Sequence, residues 1–287
     1  MKIQELLAEL PIERFRNPPP VVAVVRLSGV IGQVGPLRGG LSLGGLAGTL
    51  ERAFKLYNVK SVALAINSPG GSPVQSALIA RRIRALAQEH EVPVLAFAED
   101  VAASGGYWLA CAADEIFADE NSIVGSIGVV SGGFGLSGLI RRMGIERRLY
   151  TAGERKSLLD PFLPEKPEDV ERLRAVQRDI HDSFKSWVGL RRGAKLKGSV
   201  EELYSGEFWT GKRALELGLI DGIGDLRGVL RERHGDNVKL RVIGPPRPWF
   251  RLPFLRSAIE ETDRAAAWTG QVMAAVEERT LWNRYGL

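Results

Sequence analysis

Three apolar runs frame the chain: VVAVVRLSG from Val21, VKSVALAINS from Val59 and VPVLAFAED from Val92. Each is short, rich in Val, Leu and Ala, and bounded by polar or glycine residues, so each is read as a buried strand. Helical patterns fall between and after them. Ser72, Pro73 and Gln75 match an N-cap, a first-turn proline and the partner of a capping box, which predicts a helix running to about Gln88. The small and apolar residues after Ser104, through Ala113, predict a second helix that follows its strand directly. Val170, Leu173, Val176, Ile180, Phe184 and Trp187 form an apolar stripe at helical spacing. Thr210 caps a helix over GKRALEL that Gly218 ends, and IERRLYTA reads as a strand after a turn at Met143-Gly144. Gly29 to Gly48 reads as a long loop or cover segment rich in Gly and Leu.

Strands alternating with helices favour one α/β domain with extra arms. With 287 residues and 45% hydrophobic content the chain can bury one large core. No internal repeat is visible. The expected division is an N-terminal arm and proline hinge (Pro18-Pro19-Pro20) over 1–20, a catalytic domain over 21–243 and an amphipathic C-terminal arm over 244–287.

Candidate chemistry centres on Ser104, set in VAASGGYWLA where a strand meets a helix. That junction turns a side chain outward beside backbone N–H groups that have no helical partner. Asn67-Ser68-Pro69-Gly70-Gly71-Ser72 ends the preceding strand. Alone it is an ordinary turn; paired with a second glycine-flanked serine, its glycines can bring an N–H close to a substrate carbonyl. A serine nucleophile needs a base. Among the three histidines, His181 lies beside the apolar stripe and is expected to be structural or on the surface, while His90 and His234 are expected in solvated polar links. Lys156, in AGERKSLLDPF, is a candidate if its neighbours Leu158, Leu159, Pro161 and Phe162 cover it and Arg155 disfavours its charge. Most lysines are solvated surface charges, so the residues alone leave that choice open.

INSPGGS, ASGGYWLA, GSIGVV, GERKSLLDPF and SGEFWTGKRALELGLIDGIGDL, in this order, resemble the signal peptide peptidase A family of serine-lysine proteases. The resemblance covers roughly Val21 to Leu230. It implies a Clp protease/crotonase-like α/β fold, a spiral of β-β-α units with helical terminal arms. It also implies Ser104 as nucleophile, Lys156 as general base and Ser126 as a hydroxyl that orients the lysine amine. The N–H groups of Gly70 or Gly71 and of Gly105 would hold the oxyanion. The expected activity is serine endopeptidase action on peptides or unfolded, hydrophobic protein segments through an acyl-enzyme, without cofactor or metal. Double-length relatives place serine and lysine on different repeats. A single-repeat chain is therefore expected to be a homo-oligomer whose active sites form at subunit interfaces. The alternatives are a catalytically silent scaffold of the same fold and a crotonase-type acyl-CoA enzyme.

The remaining features narrow the setting. Cys111, the single cysteine, excludes an intrachain disulfide and is expected to be a buried thiol. No Cys/His cluster has zinc-ligand spacing. The net charge of +5 is dispersed, with Arg141-Arg142 and Arg147-Arg148 read as solvated, so no nucleic-acid partner is expected. The first 20 residues hold no apolar run reaching the about 7 to 15 of a signal core. Bacterial members of the family often carry an N-terminal membrane anchor; this sequence departs from them there, and a cytoplasmic location is expected. In the C-terminal arm, Trp249, Phe250, Phe254 and Trp268 could lie on a membrane surface, although packing of the arm on a neighbouring subunit is favoured.

Overall fold

The computed structural model describes residues 18–32, 40–153, 155–244 and 279–286. The three apolar runs become parallel neighbours, β1 (Val21–Ser28), β2 (Val59–Ser68) and β3 (Val94–Ala103). β3 then changes partner along its length. Its first half pairs with β4 (Glu115–Ala118) and its last three residues pair with β5 (Ile123–Gly125), both parallel. β6 (Phe208–Thr210) lies antiparallel on β5, β7 (Gly222–Ile223) continues from β4, and β8 (Lys239–Val242) edges β1. At the change of partner, Ser122 Oγ donates to the Glu99 carbonyl at 2.6 Å, and on the β2 side Asn67 Oδ1 accepts the Val101 N–H at 3.3 Å. The β3 backbone thus keeps hydrogen-bond partners where the strand ladders on its two sides are interrupted.

The helices are α1 (Leu43–Phe54), α2 (Pro73–His90), α3 (Gly105–Ala110), α4 (Ser137–Arg142), α5 (Pro167–Arg192), α6 (Val200–Leu203), α7 (Gly211–Glu216) and α8 (Leu226–His234). One face of the sheet (Val25, Leu27, Leu64, Ile66, Ala96) packs against α1, α2, α3 and α5 through Leu50, Ile83, Leu109 and Phe184. The other face (Val24, Ala65, Leu95, Phe97) is covered by Leu230 of α8. Burial on both faces explains why the strands read as continuous apolar runs instead of alternating.

Several expectations are corrected. The Gly/Leu segment is not only a loop: α1 begins inside it, with Ser42 Oγ accepting the Gly45 N–H at 3.3 Å and Leu50, Ala53 and Phe54 buried. Tertiary burial here outweighs the low helix propensity of glycine. Gln75 does not close a capping box; its Oε1 accepts the Leu43 N–H at 2.9 Å, while Ser72 Oγ caps α2 as expected. IERRLYTA forms no strand, because its exposed backbone meets no neighbouring strand. In α5 the buried positions are Phe184, Val188 and Arg192, and Val176 of the predicted stripe is 55% exposed. Neither terminal histidine is in a solvated link. His90 ends α2 with its ring stacked on Phe54, and His234 ends α8 with Nε2 3.0 Å from Oγ of buried Ser61. Burial, then Arg233 and Lys60, lower the pKa of His234.

α5 is tied to the sheet by an ion cluster. The guanidinium of Arg192, 3% exposed, donates twice to the Gly218 carbonyl and once to Asp221, which also accepts from Lys195 and the Ile116 N–H. Burial raises the pKa of Asp221, but the hydrogen bonds from Arg192, Lys195 and Ile116 outweigh it and hold the carboxyl below its usual value. A depressed folded pKa contributes stability above the unfolded carboxylate value of about 3.9, lost as pH falls through the folded one. Arg192→Met is expected to lower unfolding free energy by about 3 kcal/mol, because Asp221 loses its buried partner. Urea unfolding checks this; a loss below about 1 kcal/mol contradicts a structural role for the cluster.

Candidate active site

Ser104 follows the last residue of β3 and precedes α3. Its backbone has φ 52° and ψ −119°, unusual for a residue with a Cβ, and its N–H donates to the Gly125 carbonyl at 2.8 Å. Such strain persists only where surrounding contacts impose it. The contacts come from the end of β2. A methyl on Gly70 (φ 103°) would lie 2.8 Å from Ser104 Cβ and 2.9 Å from the Gly105 nitrogen. A methyl on Gly71 would overlap the Ile31 carbonyl. The Pro-Gly-Gly turn is therefore pressed against the serine and the first turn of α3.

The N–H groups of this cluster differ in availability. Gly70 N–H donates to Ser68 Oγ at 3.2 Å, and that hydroxyl donates to the Gly29 carbonyl at 2.7 Å. Among the described residues, no acceptor faces the N–H of Gly71 or Gly105. Ser68 was present in the sequence motif without an assigned role; only the fold shows that its hydroxyl occupies the Gly70 donor.

Ser126 joins Ser104 through strand register. Ala103 pairs with Gly125, so the two serines are the next residues on adjacent parallel strands, and both have φ 52°. Ser126 is 3% exposed, and its N–H donates to the Glu207 carbonyl at 2.6 Å.

Lys156 is placed differently. Its side chain is exposed, and among the described residues no hydrogen bond links it to Ser104 or Ser126. It lies on an arm held together by a Leu136 N–H to Pro161 carbonyl bond and by Arg147, which pairs with Asp160 at 2.9 Å and sits over the Phe162 ring. The Phe162 N–H, then Arg147, hold the Asp160 carboxyl below its usual range. Among the described residues the expected apolar cover does not bury Lys156, which is exposed, and Leu158 is itself 38% exposed. The arm also exposes Val130, Phe134, Met143, Ile145 and Tyr150, with Phe134 at 86% and Tyr150 at 90%.

A contact far along the sequence completes the surroundings. Tyr285 is 7% exposed among Val101, Ala103 and Trp282, stands edge-on to Phe208, and its hydroxyl is 3.5 Å from the Pro69 carbonyl. It therefore supports the ends of β2, β3 and β6 beneath the serines; no local signal could have assigned it there. Trp249, Phe250, Phe254 and Trp268 lie outside the described residues. Cys111 is fully buried, as expected, and burial pushes its thiol pKa up to about 12.

A mostly parallel sheet, covered by helices on both faces, presents the strained serine beside a Gly-Gly turn at its carboxyl edge, and the fold is Clp protease/crotonase-like. In a solved structure, a lysine-to-alanine mutant of a membrane-bound stomatin-specific protease in complex with a substrate peptide has the same fold, with TM-score 0.50 and 14% identity. The match covers 80% of this chain and 94% of that one. Residues 86–239 match Peptidase family S49, and the chain belongs to that family. A Brucella abortus protein named Na(+)/H(+) antiporter NhaA is 51% identical over 98% of this chain but only 39% of its own length. The chloroplastic serine protease SPPA of Arabidopsis thaliana is 34% identical over 83% of this chain and 36% of its own length. The chain thus spans about two-fifths of the length of these relatives. Among the described residues no helix is long and apolar enough to cross a membrane.

Proposed function

We propose that residues 21–243 form a serine endopeptidase that cleaves peptides or unfolded, hydrophobic segments in the cytoplasm through an acyl-enzyme. The observation that carries this reading is strained Ser104 beside the unpartnered N–H groups of Gly71 and Gly105. Ser104 Oγ attacks the scissile carbonyl carbon as its proton passes to the neutral amine of Lys156. The carbonyl oxygen becomes an oxyanion held by the Gly71 and Gly105 N–H groups; Gly70 serves by shape, since its own N–H is engaged by Ser68. Collapse breaks the C–N bond, and the lysine ammonium returns the proton to the leaving amine. Water then attacks the ester, giving its proton to Lys156, and the acid product leaves as Ser104 regains its hydrogen. Ser126 would orient the lysine amine.

The lysine comes from a neighbouring protomer in this reading. Support comes from its exposure on an arm that leaves large apolar side chains uncovered, the composition of a surface awaiting a partner. A head-to-tail ring would place each arm over the next serine. The same exposure is what a silent scaffold would show, so activity decides between them. Mapping a fluorophosphonate label tests the nucleophile: attachment at Ser104 is expected, and no labelling in an assembled protein overturns the hydrolytic reading. Lys156→Arg is expected to be inactive, because a guanidinium stays protonated and cannot accept the serine proton. Peptide hydrolysis measured on the purified variant checks this; turnover near wild type would exclude the lysine as base.

A further inference from the structure

One histidine touches the site from outside it. His181 Nε2 lies 3.1 Å from the carbonyl oxygen of Ile127, the residue after Ser126. Ile127 is fully buried and is the centre of a tight turn closed by the Gly128 N–H on the Ser126 carbonyl at 3.0 Å. A carbonyl there needs a donor, and among the described residues the imidazole is the one that reaches it. The turn is gripped on its other side by the Glu207 carbonyl, which accepts the Ser126 N–H.

The helix that carries His181 also grips the nucleophile's helix. Phe184 stacks on Trp108 with centroids 4.6 Å apart, Trp187 Nε1 donates to the Trp108 carbonyl at 3.0 Å, and Arg191 donates to the carbonyls of Cys111 and Ala113. His181 precedes Phe184 by one turn on the same side of α5. One rigid helix therefore sets α3, which begins directly after Ser104, against the turn that carries Ser126.

We propose that His181 is a positioning residue: by donating from Nε2 to the Ile127 carbonyl it fixes the Ser126 turn relative to Ser104. This rests on the proposed role of Ser126 in orienting the lysine. Both Phe184 and His181 belonged to a predicted helix, but only the pairing of His181 with a backbone carbonyl separates it from a surface histidine.

The test compares His181→Leu, which removes the donor, with His181→Gln, whose amide can restore it. In the assembled protein, kcat of peptide hydrolysis is expected to fall about tenfold for the leucine variant, the scale of a buried carbonyl losing its donor, with KM changed less than about twofold. Glutamine should recover kcat to within about threefold. Amide hydrogen exchange is read in parallel: residues 126–129 should exchange about tenfold faster in His181→Leu, with Gly105–Ala110 unchanged. Should the leucine variant not fold, His181→Asn, with a shorter reach, replaces it. Unchanged exchange and kcat in the leucine variant, or a glutamine variant as impaired as leucine, overturns the proposal. If exchange responds as expected but the wild-type protein hydrolyses no peptide, the bracing of the turn stands and the peptidase reading falls.

Discussion

Ser104→Ala is expected to lower peptide hydrolysis by about four to six orders of magnitude while leaving assembly and unfolding free energy near wild type. The size follows from what is removed: without Oγ no acyl-enzyme forms, and only the oxyanion donors remain to assist water. Stability should change little because Ser104 is partly exposed and no side-chain hydrogen bond anchors it. Its positive φ even argues that the serine is held at a cost, so alanine should relieve nothing and forfeit nothing. Hydrolysis of an unstructured protein, fluorophosphonate labelling and urea unfolding form the measurement. Labelling that persists in the purified alanine variant would move the nucleophile elsewhere.

Mixing Ser104→Ala and Lys156→Ala chains is expected to restore activity that neither has alone. If each site joins the serine of one protomer to the lysine of the next, random exchange in equal amounts makes about a quarter of the sites whole. Recovery near that fraction, after verified subunit exchange, supports a dyad shared between chains. No recovery places both groups in one chain or neither in the mechanism. Lys156 is exposed on the arm that leaves Phe134 and Tyr150 uncovered, and in the proposed shared arrangement a neighbouring chain would supply the low-dielectric surrounding its amine needs.

Much of the fold was legible in the chain because the signals are local. The runs at Val21, Val59 and Val92 are nearly continuous in apolar residues, which marks buried strands; the fold adds that they are parallel and covered on both faces. Ser72 and Thr210 cap their helices as their neighbours predict. The glycines of the Pro-Gly-Gly turn were legible as a place where backbone can approach a substrate; that Gly70 also packs directly against Ser104 is seen only in the fold.

Elsewhere local pattern and final structure part. IERRLYTA has a strand's composition and no strand to pair with, and α1 begins in a run of glycines because its later residues find a core. Gln75 had the spacing of a capping partner, but Leu43 offered its side chain a donor from another helix. That the three apolar runs form strands, that helices start after Ser72 and Thr210 and that Ser104 sits at a strand end follow from local pattern, so the sequence by itself determined them. That β3 divides its edge between β4 and β5, that Ser126 thereby stands beside Ser104, that Ser68 takes the Gly70 N–H and that Tyr285 and His181 reach the strand ends were decided only by tertiary structure. Those contacts join residues up to 216 positions apart. A buried backbone group demands a partner, but the demand does not say which part of the chain will supply it.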